Sequence, residues 1–165
     1  MSASTPPIDE FQAHALAIER EAAARYREFA ARMSDRDQPA LAELFERLAR
    51  MEQAHAAALE QRFGAAPASD AIPSEYRWLD ADAPETAAHD WVFRLLTPHD
   101  ALRIALAGEQ RARDFFQRVA DGTTNPELQA LAQDMANEEI EHAERLERAL
   151  AHVPDPNIDW EKVLR

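Results

Sequence analysis

At 165 residues the chain has the length of one domain and can bury a substantial core. Its formal charge of −13 sets it against nucleic acid and anionic membrane, both polyanions, and leaves cations and basic proteins as partners. It has no cysteine, which excludes disulfides, thiol catalysis, iron–sulfur clusters and any cysteine-held iron.

Three glycines, abundant alanine, leucine, glutamate and arginine, and few β-branched residues favour helix over sheet. The opening MSASTPPIDEF lacks both a basic stretch and an apolar one, and no later run approaches a membrane span. A soluble, cytoplasmic protein is expected.

The first helix is predicted to start near Pro6 or Pro7, with Thr5 as cap, and to run to about Met33. Leu16, Ala22, Ala23, Tyr26, Ala30 and Met33 follow a helical period that also passes through Glu19. The polar stretch Ser34 to Gln38 is short, so the second helix folds back antiparallel. It starts at Pro39, carries Leu41, Leu44, Leu48, Met51, His55 and Leu59 on one side, and stops at Gly64.

Residues 65–97 change composition, gaining prolines together with Tyr76, Trp78 and Trp91. The segment is too long for a tight turn, and a short helix from Pro84 is expected within it. A long crossover lets the second and third helices run parallel. The third helix opens on the capped sequence Thr97-Pro98-His99-Asp100 and runs through Leu102, Ala105, Glu109, Ala112, Phe116 and Val119 to Gly122. Asn125-Pro126-Glu127 caps the fourth, whose inward set is Leu128, Leu131, Met135, Glu139, His142, Leu146 and Leu150. The expected fold is all-α: an antiparallel four-helix bundle over residues 1–153 with a crossover at 65–97, followed by a C-terminal tail at 154–165. Ile158, Trp160, Val163 and Leu164 are apolar anchors of that tail.

The chain states one motif twice. In MANEEIEHAERL, Glu139 and His142 stand three positions apart on one helix face, where carboxylate and imidazole can grip one ion. LARMEQAHAAAL repeats this, with Glu52 matching Glu139, His55 matching His142 and Leu59 matching Leu146. Each copy follows a helix bearing one carboxylate amid small and apolar residues, Glu19 in the first half and Glu109 in the second. Glutamate is common enough here for the short motif to recur by chance, so depth in the bundle is the stronger argument. At about 1.5 Å per residue, Glu19 and Glu52 both lie roughly 20 Å from the turn that joins their helices. Glu109 and Glu139 lie roughly 18 and 20 Å from theirs. All six residues can therefore meet at one level.

Four carboxylates in a bundle core repel one another and lose hydration, at about several kcal/mol per ion. Two divalent metals cancel the four charges, and neutral histidines complete the ligand sets. Carboxylate oxygens with imidazoles suit iron or manganese better than zinc at a two-metal site of this shape.

These residues resemble the ferritin-like superfamily, and within it rubrerythrin and bacterioferritin. The matching pieces are Glu19-x-x-Ala22-x-x-x-Tyr26, Glu52-x-x-His55, Glu109-x-x-Ala112-x-x-x-Phe116 and Glu139-x-x-His142. The resemblance implies a centre of two iron ions bridged by Glu52 and Glu139, with Glu19 and His55 completing one iron and Glu109 and His142 the other. It implies reaction with O2 or peroxide, as ferroxidase or peroxide reductase, with a separate electron donor and assembly as a homodimer or larger homo-oligomer. Ala112 stands where peroxide-reducing rubrerythrins carry a further glutamate, and their cysteine-ligated rubredoxin domain has no counterpart in a chain without cysteine.

Other readings stay open. Tyr26, two turns after Glu19, is a catalytic candidate as electron donor or ligand partner, and equally a core tyrosine. Glu138, Glu141, Glu144 and Glu147 are assigned to the solvent face, paired with Arg145 and Arg148. His14, His89, His99 and His152 lack partners at ligand spacing and are assigned to surface or capping roles. An iron-storage or sequestration subunit, a di-iron hydroxylase and a metal-free helical adaptor are the functional alternatives.

Overall fold

The computed structural model describes residues 8–64 and 96–154. Among them are four helices and no strand: α1 (Ile8–Asp35), α2 (Pro39–Phe63), α3 (Pro98–Gly122) and α4 (Pro126–Leu150). The expectations for Thr5 as cap, a helix from Pro84, the three tryptophans and the tail beyond Pro154 fall outside the described residues.

Local chemistry sets the helix ends. Pro39, Pro98 and Pro126 each occupy a first-turn position where the missing N–H costs nothing. Thr97 and Asp100 form a reciprocal cap: the Asp100 amide donates to Thr97 Oγ1 at 3.1 Å, and the Thr97 amide to Asp100 Oδ2 at 3.3 Å. Asn125 Oδ1 accepts from the amides of Glu127 and Leu128, at 3.0 and 3.4 Å. Asn125→Ala is expected to cost about 1 kcal/mol, read as a lower midpoint in urea at unchanged slope.

The first helix runs two residues past the expected Met33. The amide of Gln38 closes on the Met33 carbonyl at 2.9 Å and that of Asp37 on Ser34 at 3.1 Å, so the chain leaves through a left-handed residue, Asp37, at φ 56°. This closure is the one usually built on glycine, and a short polar side chain tolerates it. At the far end of the pair, Gln12 Nε2 donates to the Gly64 carbonyl at 3.0 Å, fixing where α2 stops against α1.

α1 packs along α2 and α3 along α4, two hairpins laid together. Two apolar clusters show how they combine. One gathers Phe11 and Leu16 of α1, Leu59 of α2, Phe116 and Val119 of α3 and Leu128 of α4. The other gathers Tyr26, Phe29 and Met33 of α1, Phe45 and Leu48 of α2, Leu102 of α3 and Leu146 of α4. The first cluster joins the starts of α1 and α4 to the ends of α2 and α3; the second joins the opposite ends. The two middle helices thus run parallel to each other and antiparallel to the outer two, as a crossover bundle requires.

Candidate metal centre

Between the apolar clusters lies a layer that neither claims. Glu19, Glu52, Glu109, Glu139 and His142 are each no more than 3 % exposed, and His55 keeps 20 % of its side chain accessible. About one turn to either side, each glutamate has a buried alanine: Ala15 and Ala22, Ala49 and Ala56, Ala105 and Ala112, Ala136 and Ala143. These small side chains leave the room in which four carboxylates extend inward together. All six residues proposed from the sequence meet in this layer.

Their donor atoms form two groups, each drawn within 4.8 Å: Glu52, Glu109, Glu139 and His142 in one, Glu19, Glu52 and His55 in the other. Glu52 belongs to both. His55 Nδ1 lies 3.4 Å from Glu19 and 3.7 Å from Glu52. His142 Nδ1 lies 2.8 Å from Glu52 and 3.6 Å from both Glu109 and Glu139. The two imidazoles stack nearly parallel, at 6° with centroids 5.5 Å apart. Glu139 sits in the His142 group alone, so its carboxylate would have to shift to bridge.

The titration behaviour follows from this crowding. Burial, and then the charges of Glu52 and Glu139, hold Glu19 well above the ordinary carboxylate range. Burial and Glu109 do the same to Glu139. Burial also acts on Glu52, but contacts from His142 and His55 outweigh it and bring Glu52 down to about 2. Burial opposes charge on His142 as well, yet Glu109, Glu139 and Glu52 push it up to about 12. Without metal, the crowding favours the protonated forms of Glu19, Glu139 and His142 and the ionised form of Glu52.

The family model described as Rubrerythrin matches residues 10–90 and 100–162, most of the chain. The chain belongs to the rubrerythrin family. It is also similar to the crystal structure of an uncharacterized conserved protein from Magnetospirillum magnetotacticum MS-1, at 33 % identity and a TM-score of 0.77, over 93 % of this chain and 99 % of that one. No curated protein matches it.

The buried donors fit the pair of ions associated with a rubrerythrin-type centre. Glu19 Oε2, both oxygens of Glu52, Glu109 Oε1, His55 Nδ1 and both nitrogens of His142 are buried without a hydrogen-bond partner among the described residues. Even the close approach of His142 to Glu52 lacks hydrogen-bond alignment. Groups that normally cost about 1–3 kcal/mol each when left unpaired, gathered in one layer, make a donor set that fits a polydentate cation.

The remaining candidates divide. Tyr26 is fully buried in the apolar cluster that holds Met33, stacked against Phe45 with centroids 5.9 Å apart. Arg145 pairs with Glu141 at 3.6 Å and Arg148 with Glu144 at 3.8 Å, as expected of an outer face. His152 Nδ1 lies 2.7 Å from the Arg148 carbonyl, a capping contact. Glu138 departs from its expected pairing with arginine: its Oε2 lies 3.6 Å from His55 Nε2 across the α2–α4 seam. Burial is the first cause that raises its pKa. Its sequence setting differs little from that of Glu141, so the pattern within α4 could not separate them; the facing helix does.

Proposed function

We propose that this protein is a di-iron carboxylate oxidoreductase that reacts with O2 or peroxide as ferroxidase or peroxide reductase. The observation that carries this reading is Glu52, a fully buried carboxylate shared by two donor groups, with both of its oxygens buried and without a hydrogen-bond partner among the described residues. Rubrerythrin-family proteins are often di-iron oxidoreductases, which supports the same choice.

In this reading Glu19 and His55 would hold one iron and Glu109 and His142 the other, with Glu52 and Glu139 as the carboxylates they would share and manganese as the alternative metal. Two adjacent ions of this kind supply two electrons to an O–O bond and avoid a one-electron product. The chain's own part is structural and protonic. Glu19, Glu139 and His142 surrender protons when ligated, so the layer exchanges buried protons for cation charge. The apolar clusters above and below exclude water from the axis. Tyr26, buried one apolar step from the layer, is an internal electron source or a core residue; Tyr26→Phe distinguishes these, since only the former slows turnover.

Reducing equivalents must come from a separate donor, since a chain without cysteine cannot hold a rubredoxin site or an iron–sulfur cluster. A cytoplasmic homodimer or larger homo-oligomer fits the proposal; no helix among the described residues is long and apolar enough to cross a membrane. The charge of −13 favours a second reading, a storage or sequestration subunit that collects Fe²⁺. Anaerobic Fe²⁺ titration, then mixing with O2 and with H2O2, tests both. Two irons per chain with catalytic oxidant turnover support the enzyme, and a large iron-loaded shell on gel filtration supports storage. Less than about a tenth of an equivalent bound rules out a metal centre of either kind.

A further inference from the structure

The two halves of the centre differ in how they meet solvent. His142 is 1 % exposed, with both ring nitrogens shut inside the bundle. His55 instead forms part of the wall of a cleft of about 300 Å³ between α2 and α4, which also takes in Ala58 and Arg62 from α2 and Asp134 and Glu138 from α4. Its ring divides cleft from centre: Nε2 faces the Glu138 carboxylate at 3.6 Å, while Nδ1 faces Glu19 at 3.4 Å. Behind the ring, Glu19 Oε2 is buried without a hydrogen-bond partner among the described residues, beside the equally unsatisfied His55 Nδ1. The position that matches Glu138 in the first repeat is Met51, so only one end of the duplicated motif carries this carboxylate.

We infer that the α2–α4 cleft is the entrance by which a divalent cation reaches the Glu19–Glu52–His55 half of the centre, with Glu138 receiving the hydrated ion and passing it to His55. This rests on the metal-centre reading above and adds to it a route and an order. At the mouth Asp134 and Glu138 outnumber the one cation, Arg62, and Glu138 is half-exposed where Glu19 and Glu52 are fully enclosed. His55, the only one of the six centre residues with appreciable exposure, can turn between cleft and interior. The His55 half therefore fills and empties through the cleft, and the enclosed His142 half exchanges more slowly.

The test mixes the metal-free full chain with Co²⁺ in a stopped-flow instrument, following the visible absorption of coordinated cobalt. Wild type is expected to take up two ions in a fast and a slow phase. Glu138→Gln, which keeps shape and removes charge, is expected to slow the fast phase by about tenfold or more with the two-ion endpoint unchanged. Glu138→Asp should recover most of the rate, and Ala58→Phe, which narrows the mouth, should slow it again. Glu144→Gln makes the same charge change on the outer face of α4 and should load like wild type. Equal fast phases in Glu138→Gln and wild type overturn the entrance, and so does equal slowing by Glu144→Gln. A one-ion endpoint in Glu138→Gln also overturns it, by making Glu138 a permanent ligand. A wild-type chain that binds no Co²⁺ overturns the metal-centre reading itself, an outcome distinct from all of these.

Discussion

Glu52→Ala is expected to abolish binding of both metals, whereas Glu19→Ala and Glu109→Ala are each expected to leave one. The asymmetry follows from the donor groups: Glu52 is common to both, and the other two glutamates belong to one each. Loss of a residue that only hydrogen-bonds a ligand typically weakens metal binding by about 10–100-fold, so loss of a shared ligand should exceed about 100-fold at each site. Oxidant turnover should fall to that of free iron. The metal-free protein suffers as well, because Glu52 is the nearest anion to His142, whose pKa the surrounding carboxylates push up to about 12. Leaving that imidazolium without its partner costs about 3–5 kcal/mol, unless it gives up its proton first. Glu139→Gln makes the contrast. In the metal-free layer burial and Glu109 already disfavour the charged form of Glu139, so an amide of the same shape should change the melting temperature little while still preventing two-metal loading. Inductively coupled plasma analysis with thermal melts of the stripped proteins checks both; two metals retained by Glu52→Ala would refute the shared-ligand assignment.

The fold was legible because its signals are local and its geometry is arithmetic. Pro39, Pro98 and Pro126 announce helix starts by what they cannot donate, and the helices begin there. The level of the six candidate residues follows from a constant rise per residue, and they meet in one layer. What the pattern within one helix does not give is azimuth: Glu138 is exposed as expected, but its partner is not an arginine. The pattern within α4 places Glu138 next to a buried ligand and equally next to solvent; only the packing of α2 against α4 turns it toward His55. The same limit explains why Phe11, Phe29, Phe45 and Phe115, all buried, lie outside the expected inward sets. A helix in a bundle buries a stripe wider than one seam, and the flanking positions depend on neighbours. The overrun of α1 to Asp35 is a third case, since an aspartate at a left-handed closing position carries a weaker stop signal than glycine.

Metal-free protein is expected to lose stability as pH rises from 4.5 through neutrality, and metal-loaded protein to resist that loss. Glu19 and Glu139 are raised well above 4.5, so the native state holds protons that the unfolded chain has released, and their contribution declines as pH rises through that window. His142, raised from 6.5 to about 12, contributes fully below 6.5 and progressively less above it. Glu52, lowered from 4.5 to about 2, contributes fully above 4.5 and loses that only in acid, so it is flat across the range. Glu19, Glu139 and His142 therefore pull the same way, and Glu138, also raised, adds to them. Cations reverse the dependence, because ligation needs the deprotonated forms that higher pH supplies. At about 1,000 times the dissociation constant, bound metal adds about 4 kcal/mol, worth roughly 10 °C in melting temperature for a chain of this size. The gap between chelator-treated and metal-loaded melts should thus widen steadily with pH. A stripped protein whose melting temperature rises over the same interval would show that the buried carboxyls are ionised without metal, and the proton-for-cation exchange would then have no basis.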